Sequence, residues 1–150
     1  MRQMMSRADH VGTPVEAMVA EPRPLRSATI AVTLLATLEL LLWTVSTDTS
    51  ALPRAVRSPL HATLVVVMFG GAVAADLGRG GRWQLLGLLL VMAAAATKGV
   101  LTLGVAMPPL TPVQAAGVHL GPAVLFVMAA VALVLMAAAR RRSRLGTPGA

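Results

Sequence analysis

The chain has 150 residues, a formal charge of +7 at neutral pH, no cysteine, and 56% hydrophobic against 13% charged residues, with a mean hydropathy of +0.74. So little polar surface excludes a water-soluble globule of this size and implies an integral membrane protein. The missing cysteines exclude disulfides and thiolate metal sites, and the arginines flank apolar runs in blocks, which excludes a nucleic-acid surface and fits membrane topology.

Residues 1–26 carry both charge signs, with Pro14, Pro22 and Pro24 and no sustained apolar periodicity. They read as a disordered tail. A basic region then precedes the first apolar run, as in a signal peptide, but that run exceeds the usual signal core, contains Glu39 and lacks a small-x-small cleavage site, so it reads as a retained helix. Four apolar stretches follow, at about 27–46, 55–75, 83–107 and 115–139. Each approaches or exceeds the ~20 residues that a helix needs to cross ~30 Å of hydrocarbon. No alternating barrel pattern is present, and a helix satisfies its backbone groups within its own segment. The fold expected is therefore an all-α membrane protein: a four-transmembrane-helix antiparallel bundle over 27–140, between the tail 1–26 and a basic tail 141–150.

Orientation follows from the cations. Arg2, Arg7, Arg23, Arg26, Arg79, Arg82, Arg140, Arg141, Arg142 and Arg144 would lie on one side, and only Arg54 and Arg57 on the other. The positive-inside rule then makes both termini cytoplasmic. Residues 48–53 and 108–114 become outer loops, and 76–82, rich in glycine, a tight inner turn. Trp43 and Trp83 fall near opposite faces, as an aromatic belt would place them. The abundance of Ala, Gly, Leu, Val and Arg points to a high-GC bacterial genome and hence to a bacterial inner membrane. The terminal arginines stop translocation and attract anionic membrane lipid.

This topology gives two histidines the same position on alternate helices. His61 opens the second span and His119 the fourth, about 23 Å from Asp76 and about 31 Å from Arg140 along their helices. Two imidazoles at one depth, facing each other across a bundle, is the arrangement that holds a haem iron from both sides. Gly117 and Gly121 would leave room for a flat macrocycle, or serve close helix packing. Arg57, one turn before His61, and Arg54 suit haem propionates, because a guanidinium binds carboxylate bidentately. Glu39 and Lys98 lie inside apolar spans, both in the outer half; such charges are costly in the bilayer, and the simplest expectation is that they neutralise each other. His10, in the polar tail, is not a candidate ligand, and no Met-rich copper motif is present.

The stretches SPLHATLVVVMFGGAVAA and GLLLVMAAAATKGVLTLGVAMPPLTPVQAAGVHLGPAVLFVMAAVALVL resemble one four-helix half of a haem A synthase of the cytochrome oxidase assembly family. The likeness covers about residues 27–140 and rests on topology and two histidines. It implies that His61 and His119 are axial ligands of one haem. Full members join two such halves, place a carboxylate where this chain has Arg57, and often carry a loop cysteine pair that is missing here. The resemblance therefore implies haem b binding, for electron transfer with an unknown redox partner or for haem handling, rather than haem oxidation; a single half-length bundle is expected to work in a homodimer or larger membrane complex.

Other readings attach to the same residues. Each histidine taken alone fits an interfacial polar residue. Glu39 also fits the helix-one carboxylate of a small dimeric proton-coupled exporter, although Lys98 would neutralise it. A non-catalytic membrane subunit or assembly factor without cofactor is the third. No nucleophile triad, phosphate loop or carboxylate cluster supports hydrolytic or phosphoryl chemistry.

Overall fold

The computed structural model describes residues 21–47, 58–79, 81–104 and 111–145. They form α1 (Arg23–Thr47), α2 (Pro59–Leu77), α3 (Arg82–Leu103), a single turn α4 (Pro112–Ala115), a π-helical segment Ala116–Leu120 and α5 (Gly121–Leu145). The protein is all-helical, and four of its helical stretches are long and apolar enough to cross a membrane: Arg23–Val45, Pro59–Leu77, Arg82–Leu103 and Gly117–Ser143. Local chemistry sets several of the ends. Pro22 and Pro24 lie at the start of α1, where a missing N–H costs no helical bond, and Leu25 and Arg26 donate to the Pro22 carbonyl at 2.9 and 3.2 Å. The helix thus begins before residue 27. Ser58 in extended backbone with Pro59 behind it starts α2. At the far end α5 continues through Leu145, so the first basic residues beyond 140 are helical.

The helices pack in a ring. α2 lies against α1 and α3, and α5 lies against the same two, so α1 and α3 face each other across one diagonal and α2 and α5 across the other. The core between them is built from Val32, Ala36, Val65, Met68, Leu88, Val91, Leu125 and Ala129, with many alanines. Between apolar helices in lipid the hydrophobic effect offers little preference, and small residues that allow close approach decide who packs on whom. The α2–α3 contact shows this. A Cβ on Gly71 would lie 2.9 Å from the Gly87 carbonyl, and one on Gly87 would lie 2.6 Å from the Ala75 nitrogen. At that spacing neither position accepts a side chain. Polar bonds add to the packing: Thr33 Oγ1 donates to the Ala72 carbonyl of α2 at 3.2 Å, and Gln84 of α3 donates to Glu21 Oε1, just before α1, at 2.6 Å. The outward faces carry exposed leucines and valines, among them Leu34, Leu41, Val66, Val100 and Val134, as lipid-facing helices do.

Candidate functional site

The most polar feature inside the bundle is built from three helical stretches. Glu39 of α1 and Lys98 of α3 are each about 1% exposed, and Lys98 Nζ donates to Glu39 Oε1 in a buried ion pair. Lys98 Nζ also donates to the carbonyl of Gly117 at 3.0 Å. The pair therefore spans the α1–α3 diagonal, where the two backbones make no close approach, and ties both helices to the π-helical segment.

The third member has a local cause. In a π-helical segment the backbone N–H reaches back five residues rather than four, and the residue five beyond Gly117 is Pro122, which has no N–H to give. A buried carbonyl needs a donor, and the Lys98 ammonium, with three N–H donors, is the one that Gly117 receives. Gly117 also packs closely on α1, where a Cβ would meet that of Leu42 at 3.3 Å. Thr102, one turn after Lys98, is buried and donates back to the Lys98 and Gly99 carbonyls at 3.0 and 2.8 Å. On α1, Glu39 Oε2 and the Trp43 indole nitrogen are buried without a hydrogen-bond partner. Trp43 sits partly buried against the core, whereas Trp83 is 60% exposed.

The two histidines have different surroundings. His61, in the first turn of α2, is 3% exposed and shares a 3.1 Å hydrogen bond through Nδ1 with Ser58 Oγ. His119, in the π-helical segment, is exposed and lines an open, apolar depression with Pro112, Ala115, Leu120 and Ala123. α2 does not pack on the π segment or on α5. A macrocycle ligated from both sides needs two imidazoles turned into one space; here one is buried in the bundle and the other lies on its surface. Among the described residues no group of three or more His, Asp or Glu converges as a metal site. Arg54, Arg57 and His10 lie outside the described residues.

The cost of charge in hydrocarbon marks both members of the ion pair in the sequence, and Gly117 is marked there as a close-packing glycine, but its carbonyl's part as acceptor from Lys98 depends on Pro122 and on the rotation of α3. The sequence does not single out Thr33 or Gln84, ordinary polar residues whose interhelical bonds leave no mark in composition. No protein-family model, curated protein or solved structure matches the chain.

Proposed function

We propose that this chain is a non-catalytic membrane subunit or assembly factor: an antiparallel four-helix bundle in a bacterial inner membrane, with both termini cytoplasmic and its interior closed by the Glu39–Lys98–Gly117 clamp. The antiparallel arrangement is supported by contacts that join the start of α1 to the start of α3 through Glu21 and Gln84, and the end of α5 to the same region through Arg140 and Gly81. The cytoplasmic side is supported by the block of arginines at these ends.

The observation that carries the reading is the way the clamp uses its charges. An intramembrane charge is held either by a structural partner or by a pathway for protons or substrate, and one whose partner is itself fixed by further bonds suits the structural case. Here Lys98 engages Glu39 and a backbone carbonyl at once, on a helix that α1 does not otherwise approach. That geometry suits fixing three helices in register. The second Glu39 oxygen, Oε2, is buried rather than open to a substrate path, which suits a structural carboxylate better than an exporter's, and buried His61 with exposed His119 suits separate roles better than one shared haem.

The test replaces the whole clamp. A Glu39→Leu/Lys98→Met double variant is expected to insert at wild-type level, to complement a deletion strain, and, like wild type, to purify without a Soret band under haem-replete expression. A folded double variant that fails to complement would overturn the structural reading in favour of proton-coupled transport. A reduced spectrum with sharp α and β bands, lost in His61→Ala and His119→Ala, would overturn it in favour of haem.

A further inference from the structure

The corner where α2 turns into α3 gathers features that the clamp does not use. The turn is tight: Gly81 donates to the Gly78 carbonyl at 3.0 Å and Gly78 to the Ala74 carbonyl at 2.9 Å. A Cβ on Gly78 would lie 2.5 Å from that of Trp83 and 2.8 Å from the Ala74 carbonyl oxygen. Only glycine fits, and its absence of side chain seats Trp83 directly over the turn. Trp83 and Leu77 are nonetheless 60% and 78% exposed. The Arg82 guanidinium lies 5.7 Å from the centre of the Trp83 ring, which orients it over an aromatic face. From the other side of the bundle, Arg140 of α5 donates through Nη2 to the Gly81 carbonyl at 3.3 Å. Arg79, inside the turn, is exposed.

The Arg82 and Arg140 guanidinium groups, from α3 and α5, thereby meet at one backbone turn, and Arg79 is an exposed residue of that turn. Among the described residues none of these arginines lies within ion-pair distance of a carboxylate; Asp76, in the last turn of α2, and Glu21, bonded to Gln84, are the carboxylates of the same corner. Each guanidinium has five N–H donors, and the single bond from Arg140 to Gly81 leaves most of them available. Planar forks of this kind match phosphate oxygens bidentately. A half-exposed indole beside them is suited to the headgroup level of a bilayer, where an apolar body and a polar edge are both satisfied.

We propose that this corner, Arg79, Arg82 and Arg140 around the Gly78–Gly81 turn with Trp83 and Leu77 at its edge, is a headgroup site for an anionic phospholipid. The proposal rests on the bundle spanning a bilayer, and it goes beyond diffuse attraction by a basic tail because it names a seat: the lipid phosphate meets the arginines while its chains run down past Trp83 and Leu77.

The experiment measures retention of phosphatidylglycerol against phosphatidylcholine by the full-length protein, by native mass spectrometry from mixed-lipid detergent micelles. Wild type is expected to retain phosphatidylglycerol selectively. Arg82→Gln/Arg140→Gln should lose that selectivity by about ten- to thirtyfold, while Arg23→Gln/Arg26→Gln, which removes equal charge from the same end, should stay within about twofold of wild type. Should the glutamine pair fail to fold, Arg82→Lys/Arg140→Lys keeps the charge and removes the forks, and a loss of selectivity is expected there too. Equal losses in the Arg23/Arg26 and Arg82/Arg140 glutamine pairs would overturn the site in favour of a diffuse field. Unchanged selectivity in the lysine pair, or displacement of the lipid by millimolar inorganic phosphate, would overturn it as well. Failure of the spanning reading is separate: it would appear as loss of insertion into lipid nanodiscs, before any choice between lipids.

Discussion

At the scale of single residues, Lys98 decides more than any other side chain. Its ammonium meets a carboxylate and a carbonyl that belong to two other helical stretches. Removing one partner of a buried pair leaves an uncompensated charge, which costs about 3–5 kcal/mol, whereas replacing both by apolar residues of similar volume is often neutral or stabilising. Glu39→Leu and Lys98→Met are therefore each expected to lower stability by about that amount, and Glu39→Leu/Lys98→Met to recover most of it. Denaturation of the four proteins in one detergent, followed by circular dichroism, reads the cycle. Additive losses in the double variant would show that the two side chains act independently. The histidines teach the converse lesson. They look equivalent along the chain, one near the start of each of two spans, yet His61 is buried and His119 faces outward. The rotation of a helix about its axis separates them, and no count of residues supplies that rotation.

At the scale of elements, α2 and α3 are joined by the absence of side chains. Gly71 and Gly87 bring the two backbones together, while Gly70, the next residue along α2, has no other group within 4 Å of where its Cβ would be. Gly87→Ala is thus expected to push the helices apart and lower stability by about 1–3 kcal/mol. Gly70→Ala should leave stability unchanged or raise it by up to about 1 kcal/mol, since alanine is the better helix former. Thermal melts in detergent compare the two, and equal behaviour would remove the close-approach account of this interface. Gly70 and Gly71 are neighbours in one apolar run, and the sequence does not mark which of them is the contact. The same holds for the fourth span, which reads as one helix from hydropathy but contains a π-helical segment between α4 and α5. Pro122 is the visible trace of that break.

At the scale of the whole molecule, the proposed antiparallel arrangement with cytoplasmic termini makes a prediction that the lack of native cysteine renders simple to test. With both termini in the cytoplasm, Ser6→Cys and Ser143→Cys should react with a membrane-impermeant maleimide only after permeabilisation, and Thr49→Cys should react in intact spheroplasts. The opposite pattern would invert the bundle, and labelling of all three in intact cells would break the four-span reading. The class of protein was legible in the chain because hydrophobicity adds along a sequence: enough consecutive apolar residues make a span whatever surrounds them, and the four apolar helices follow. The high cost of charge in hydrocarbon likewise singled out Glu39 and Lys98 before any coordinates. What only the tertiary structure decided was which side chains share a space. Gly117 joining Lys98, Thr33 reaching α2, Arg140 reaching the α2–α3 turn, and His119 turning away from His61 all depend on how the helices are rotated and which are neighbours. Those choices are made by contacts between small residues on different helices, and such contacts leave no periodicity in the sequence to read.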